Sequence, residues 1–179
     1  MQKLIPFLFL LVLGGASVSA QTFTLKSSEL GGQATNRQMA NTFGCHGENA
    51  SPELHWENAP AGTQSFAVTM YDKDAPTGSG FWHWVIFNIP ANVMELKSDA
   101  GNVSKGLAPT GSVQSNTDMG VPGYLGGCPP PGSIHEYLFT VYALKTKLNL
   151  DKNTGPALVG YNLNSNTLAK ASIVMYAQQ

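Results

Sequence analysis

The segment from Asp72 to Trp84 carries more side-chain chemistry than a connection between two strands needs. It reads Asp-Lys-Asp-Ala-Pro-Thr-Gly-Ser-Gly-Phe-Trp-His-Trp, with two acids, a histidine and two tryptophans. Apolar, strand-like runs flank it on both sides. Loops of this kind commonly present a binding or catalytic site from a rigid scaffold.

A second segment, from Gly123 to Tyr137, supplies groups that suit an anion. Histidine N–H groups and a tyrosine hydroxyl are good donors to phosphate oxygens. The glycine-rich backbone at Gly126-Gly127 can bring N–H groups close to an anion. The run Pro129 to Pro131 predicts a stiff, apolar wall. We therefore expect an anion site built from the two segments.

The aspartates of the first segment need an explanation, because a carboxylate repels phosphate. One of them is expected to hold His83 or His135 in its tautomer. The other would accept a hydrogen bond from a protonated phosphate or an ammonium group. Two neighbouring acids are also expected to raise each other's pKa.

Each motif also has a purely structural interpretation. Asp72 to Pro76 could form only a turn, His83 could be a core histidine, and the prolines could form a stiff turn. Of Trp82 and Trp84, one is expected in the core and the other facing the site. The presence of all these motifs in one chain favours the pocket.

Strands dominate the elements that must position these groups. Five short runs are rich in β-branched and aromatic residues and are separated by glycine, proline and asparagine clusters. They cover residues 22–25, 65–71, 84–89, 137–144 and 172–177. Continuous apolar character in some of them predicts burial on both faces. One helix is predicted over residues 154–171, and the long region 97–131 is expected to be a functional excursion. The pattern favours a mostly β protein with an antiparallel β-sandwich.

The first residues of the chain are typical of a secretory signal peptide. A lysine precedes the apolar stretch Leu4 to Leu13, and small residues follow as far as Ala20. The apolar stretch is shorter than the roughly 20 residues that span a bilayer, which favours a cleaved signal over a membrane anchor. We expect cleavage after residue 20, export to the periplasm or medium, and a single domain over residues 21–179. No later segment predicts a membrane span.

Composition excludes some partners and favours a disulfide. Charged residues make up 12% of the chain and the net charge is -1, so the chain lacks the basic footprint of a nucleic-acid-binding protein. Cys45 and Cys128 are the two cysteines. An even number in an exported protein favours one disulfide over two buried free thiols.

Taken together, these motifs resemble the phosphatidylethanolamine-binding protein family, also called Raf kinase inhibitor-like proteins, and more narrowly its exported bacterial branch. Two further runs add to the likeness: Asn49-x-Ser51-Pro52-x-Leu54-x-Trp56 and Leu158-Val159-Gly160-Tyr161. The resemblance implies a Greek-key β-sandwich with a C-terminal helix and long functional loops.

The resemblance also implies a shallow pocket at one end of the sandwich that binds phosphate, acetate or a phosphoryl head group. It implies no metal and no cofactor. The predicted ligand-binding residues are Asp72, Asp74, Pro76, Phe81, Trp82, His83, Gly127, Cys128, Pro129, Pro130, His135 and Tyr137.

Three residues depart from the family pattern. Lys73 stands where many members have proline, and it adds a cation at the rim. Glu136 stands where arginine is common, so a positive side chain is lost. Cys128 stands where glycine is frequent, and pairing with Cys45 would join two segments of the site.

These features lead to three hypotheses about function. The favoured one is non-catalytic binding of a small anion or a phospholipid head group. The alternative is a protein-interaction role, as a modulator that inhibits a kinase or protease, with an unknown partner. The third is a hydrolase or metal enzyme that uses Asp72, Asp74, His83 and His135. It is disfavoured because the pocket of the family that the chain resembles is not known as a metal site. The absence of a Gly-x-Ser-x-Gly elbow supports the first hypothesis. The oligomeric state is open, and the exported branch makes a homodimer a candidate.

Overall fold

The computed structural model describes residues 21–179, which form two antiparallel sheets and one helix. The predicted signal peptide lies outside the described residues. In chain order the elements are β1 (Thr24–Lys26), β2 (Leu54–Glu57), β3 (Ser65–Asp72), β4 (Phe81–Pro90), β5 (Glu95–Leu96), β6 (Val113–Gln114), β7 (Ile134–Leu144), α1 (Pro156–Asn166) and β8 (Thr167–Gln178). Between residues 21 and 179, no helix is long and apolar enough to cross a membrane.

The larger sheet has five strands in the order β6-β4-β3-β7-β8, and the smaller has three in the order β1-β2-β5. Every pair of neighbouring strands is antiparallel. In the larger sheet β7 returns to pair with β3, so β7-β3-β4-β6 follow the Greek-key order. The predicted antiparallel β architecture with a C-terminal helix is confirmed.

The larger sheet forms the middle of three layers. On one face, Phe66, Val68 and Met70 of β3 pack with Leu54 and Trp56 of the smaller sheet. On the opposite face, a second cluster includes Ala67 and Val85 of the sheet with Val159 and Leu163 of α1. Burial on both sides explains why β3 and β4 read as continuous apolar runs.

The helix is shorter than predicted. It begins at Pro156, where the missing N–H costs nothing, and ends at Asn166, with β8 starting at the next residue. The prediction had extended the helix to residue 171. Residues 167–171 instead pair with β7, with Ala169 and Ala171 turned towards the core. The gain in sheet pairing and apolar burial outweighs a helical signal already weakened by Gly160 and asparagines.

Candidate functional site

A cavity of about 380 Å³ lies at the end of the larger sheet where β3 ends and β4 and β7 begin. Strand register assembles its base, since Asp72 lies opposite Phe81 on one side and Tyr137 on the other. The residues that line the cavity are Phe43, Asp72, Ala75, Pro76, Thr77, Phe81, His83, Leu125, Gly126, Cys128, Pro129, Pro130, Pro131, His135, Tyr137 and Gln179. Nine of the twelve predicted ligand-binding residues line the cavity, and strand register positions five of them.

Asp72 and His135 form a buried pair at the base of the cavity. The Nδ1 atom of His135 donates a hydrogen bond to Oδ2 of Asp72 at 2.7 Å. Its other oxygen, Oδ1, accepts the backbone N–H of Asp74 at 2.9 Å. Because a carboxylate accepts, Nδ1 of His135 carries the proton and Nε2 is left for another partner. Asp72 is thus the aspartate that holds a histidine.

His83 is also held through its Nδ1 atom. That atom donates to the carbonyl oxygen of Leu125 at 3.1 Å, and Nε2 lies 3.9 Å from Asp72 Oδ2. The ring packs on Phe81 and Tyr137, with centroid distances of 4.8 and 5.1 Å. Burial lowers the pKa of His83 below its ordinary value, and the Leu125 carbonyl and the Asp72 charge offset this only in part. The neutral ring therefore has an unprotonated Nε2.

Tyr137 keeps its proton at neutral pH. Burial, and next the charge of nearby Asp72, raise the pKa of its hydroxyl well above the ordinary value of 10. A side chain added at Gly127 would lie 2.9 Å from Cζ of the Tyr137 ring, so glycine lets the ring occupy its position. A protonated phenol at this point is a hydrogen-bond donor.

The backbone N–H of Gly126, which was expected to contact an anion, has a different partner in the structure. The Gly126 N–H donates to the side-chain oxygen of Asn49 at 2.7 Å. The Gly126 Cα packs against the backbone of residues 38–40 with no room for a side chain. Gly127 does not line the cavity. The two glycines are explained by close packing of the backbone and of Tyr137, which a sequence pattern does not distinguish from an anion loop.

Asp74 does not line the cavity. Its carboxylate accepts from Lys73 Nζ at 2.9 Å and from the Glu136 N–H at 2.8 Å. The Lys73 contact and then the backbone N–H lower the pKa of Asp74, contrary to the expected mutual increase between neighbouring acids. Lys73 also lies 3.8 Å from Glu136, so the expected rim cation is compensated by two acids.

Neither tryptophan lines the cavity. Trp84 is fully buried in the core, as expected for one of the two. Trp82 packs on Tyr71, with a centroid distance of 4.9 Å, and lies beside Gly160 of α1. The expectation that the second tryptophan faces the site is wrong, because the second face of β4 is covered by α1.

Two cavity residues, Phe43 and Gln179, lie outside the two segments from which the site was predicted. Gln179 arrives because β8 pairs with β7, and its carbonyl accepts the Gly132 N–H at 3.0 Å. Phe43 belongs to a loop tied to the site by the Cys45–Cys128 disulfide, whose Cα atoms are 5.9 Å apart. The predicted pairing of the two cysteines is present in the structure. This pairing is the feature of the sequence that could have indicated Phe43 as a neighbour of the site.

The described residues do not provide a metal-binding arrangement that would support the metal-enzyme hypothesis. In residues 21–179, no group of three or more histidine, cysteine, aspartate or glutamate side chains is arranged to hold a metal ion. His135 uses Nδ1 for Asp72, and His83 uses Nδ1 for a carbonyl.

Comparison with known proteins gives consistent matches. Residues 31–178 match the sequence model of a family described as phosphatidylethanolamine-binding protein. The UPF0098 protein YbcL of Escherichia coli (strain K12) is 50% identical over 161 residues, which are 88% of this chain and 88% of that protein. The UPF0098 protein YbhB of the same organism is 45% identical over 144 residues, 80% of this chain and 90% of that protein. A crystal structure described as E. coli YbcL, a new member of the mammalian PEBP family, gives a TM-score of 0.85 at 49% identity and covers 88% of this chain and 98% of that one.

Proposed function

Because the chain belongs to the phosphatidylethanolamine-binding protein family, whose members have a binding role, we propose that its cavity binds a small anion or phosphoryl group without catalysing a reaction. The observation that carries the proposal is the convergence of His83, His135 and Tyr137 on one cavity above a buried Asp72. Protonated imidazoles and a phenol donate hydrogen bonds to anionic oxygens, and charge-assisted bonds of this kind are strong.

The proposal that the cavity does not catalyse a reaction is based on the hydroxyl groups that line it. The Thr77 hydroxyl donates to the carbonyl oxygen of Gly80, and no histidine contacts it. The raised pKa of Tyr137 makes its hydroxyl a poor nucleophile. A nucleophile needs a base within hydrogen-bond reach. The Thr77 hydroxyl contacts only a carbonyl, and Asp72, which lies beside the Tyr137 hydroxyl, already accepts from His135.

An NMR titration tests the proposal. Addition of inorganic phosphate at millimolar concentration should shift the imidazole signals of His83 and His135 in a saturable way. The His55 signal is the internal control, because His55 pairs with Glu53 on another part of the surface. If the two cavity histidines do not respond, the proposal is wrong. Turnover of a phosphoester by the same sample would contradict its non-catalytic part.

Anion affinity is expected to increase as the pH decreases. Burial holds the pKa of His83 below 6.5, so His83 is neutral near pH 7 and must gain a proton before Nε2 can donate. Sulfate keeps its charge across this range and is the suitable probe. Its association constant should rise between about pH 8 and pH 5.5, by at most about tenfold per unit for each proton taken up. Isothermal titration calorimetry at several pH values measures the slope.

The ligand-free protein is expected to have the opposite pH dependence. The unfolded chain binds a proton at the ordinary histidine pKa, whereas the folded chain resists protonation of His83. The contribution of His83 therefore lowers folding stability as the pH falls below about 6.5.

His83→Gln should reduce the slope of sulfate affinity with pH. An unchanged slope in that variant would exclude His83 as the group that gains the proton.

We also propose that the protein acts outside the cytoplasm. The disulfide between Cys45 and Cys128 supports an oxidising compartment. Fractionation of producing cells, with the mass of the recovered chain, should find the protein outside the cytoplasm and shortened by the signal peptide.

A further inference from the structure

Residues 41–46 form an exposed loop at the rim of the cavity, the rim loop. Its Phe43 ring lines the cavity although the side chain is 62% exposed. Every residue of the loop is exposed except Cys45, which is buried. The loop therefore contributes no apolar side chain to the core, and its position depends on how Cys45 is held.

The two ends of the rim loop are held together without the disulfide. The Gly47 N–H donates to the Ala40 carbonyl at 2.7 Å, and the Ala40 N–H donates to the Gly127 carbonyl at 3.0 Å. A side chain at Gly47 would clash with the backbone of Met39, so glycine permits this close approach. These bonds lie just outside the loop and can act as a hinge that persists when the loop moves.

The middle of the rim loop is fastened mainly through Cys128. The disulfide joins Cys128 to Cys45, and Cys128 Sγ also lies 3.5 Å from the Phe43 carbonyl oxygen. A hydrogen bond from Gln179 Nε2 to the Gly44 carbonyl, at 3.2 Å, is the further fastening. Loss of the disulfide would leave that one exposed amide bond to hold the middle of the loop.

The fastened rim loop has a backbone that resists its own conformation. Phe43 has a φ of 56°, in the left-handed region that residues with a side chain rarely adopt. Such a conformation persists where the surrounding contacts impose it. Once released, Phe43 is expected to return to an extended or helical φ, which moves its ring relative to the cavity.

The disulfide can be reached by a reductant without opening the core. Cys128 is half-buried and lines the cavity, whereas Cys45 is buried. Neither residue belongs to the apolar clusters that pack on the two faces of the larger sheet. Exposed disulfides are the ones that are typically labile or regulatory.

We propose that the Cys45–Cys128 disulfide is a redox-controlled latch for the cavity. In the oxidised protein the rim loop is closed, and Phe43 shields the histidines from water. In the reduced protein the loop opens about its hinge while the sheets stay folded. The inference rests on the proposed function and names a regulation of the same site.

The reductant is a dithiol, either a small molecule or a dithiol oxidoreductase. One of its thiolates attacks Cys128 Sγ, and the electron pair of the S–S bond goes to Cys45 Sγ, which takes a proton from solvent. The second thiolate of the reductant attacks the mixed disulfide and releases Cys128 as a thiolate, which is protonated in turn. The reductant leaves as an intramolecular disulfide, so two electrons pass to the protein.

Reduction with dithiothreitol in the absence of denaturant tests the latch. Mass spectrometry after alkylation should find both thiols, while near-ultraviolet circular dichroism keeps the signal of the folded protein. The rate of reduction should be nearly independent of urea at low concentration, because a local opening is sufficient. A rate that increases with urea in parallel with global unfolding, or loss of the fold on reduction, would overturn the proposal.

The same samples report on the loop and on binding by NMR. The imidazole signal of His46, an exposed residue of the rim loop, should shift on reduction, and that of His55 should not. Inorganic phosphate should bind about threefold to tenfold more weakly to the reduced protein, because the loop must be ordered again on binding. Oxidised glutathione should restore the affinity.

Equal phosphate affinity of the oxidised and reduced proteins would show that the disulfide does not control the cavity. If the oxidised protein binds no phosphate, the proposed function fails, whereas the dependence of reduction on urea and the His46 signal still decide whether the loop opens.

A variant of the ring separates the rim loop from other effects of reduction. Oxidised Phe43→Ala should bind phosphate as weakly as the reduced wild type, and dithiothreitol should weaken it no further. Tyr161→Ala removes an aromatic ring that is 70% exposed on α1 and is the matched control, which should respond to dithiothreitol as the wild type does. A full further loss of affinity on reduction of Phe43→Ala would exclude the rim loop as the element that the disulfide controls.

Discussion

Replacing Cys45 and Cys128 together with alanine is expected to reduce the free energy of unfolding by about 4 kcal/mol. The bridge closes a loop with a sequence separation of 83 residues. The chain-entropy model assigns about 4.5 kcal/mol to a loop of that length, because the bridge restricts the unfolded chain. For a domain of this size the loss corresponds to a decrease in Tm of about 10 °C or more. Calorimetry and urea unfolding measure the two quantities.

Reduction of the wild-type protein provides the control for this prediction. Wild-type protein unfolded in excess dithiothreitol should have the stability of the double variant, and dithiothreitol should not change the variant itself. A decrease below about 1 kcal/mol would show that the bridge contributes little beyond local contacts.

The second large effect is expected from His135→Ala. Asp72 is 3% exposed, and His135 Nδ1 is the donor on its Oδ2 atom. Removing the imidazole leaves a buried carboxylate without that partner, which typically costs about 3 kcal/mol or more. The same variant removes a donor from the cavity, so phosphate affinity should fall below detection. Urea unfolding at pH 7 and the phosphate titration measure the two effects.

A double-mutant cycle isolates the pair from simple loss of packing. Asp72→Ala combined with His135→Ala should cost about 2 kcal/mol less than the sum of the single variants, because neither partner is then left alone. His55→Ala is the matched control: His55 is paired with Glu53 but is partly exposed, so its loss should cost less than about 1 kcal/mol. Additive costs for Asp72 and His135 would show that the contact does not stabilise the fold.

The strands were the most predictable part of the fold. The runs at β3 and β7 are apolar enough to be recognised without context, and β3 and β7 were each predicted with the observed C-terminal end within one residue. Burial on both faces was also evident, because a strand that packs against both the smaller sheet and α1 has to be apolar at successive positions. Short strands such as β5 and β6 have two residues each. No periodicity can be read from two residues, so these strands depend on their neighbours.

The helix and the tryptophan show where local pattern was insufficient. Residues 167–171 have some helical spacing, but β7 offers a full row of hydrogen-bonding partners and decides their state. Trp82 has the position expected of a site residue, yet α1 covers that face of β4 and takes up the ring. In both cases a contact distant in sequence outweighs the local preference.

The sequence by itself determined which chemical groups are available: two histidines, a tyrosine, a proline wall and a pair of cysteines in an order typical of the family. Only the tertiary structure decided which of them act together. Strand register places Asp72 beside His135, an ion pair removes Asp74 from the cavity, Asn49 occupies the Gly126 N–H, and the disulfide adds Phe43. The physical reason is that a carboxylate or an N–H keeps the partner that packing brings within hydrogen-bond distance, and that partner can lie anywhere along the chain.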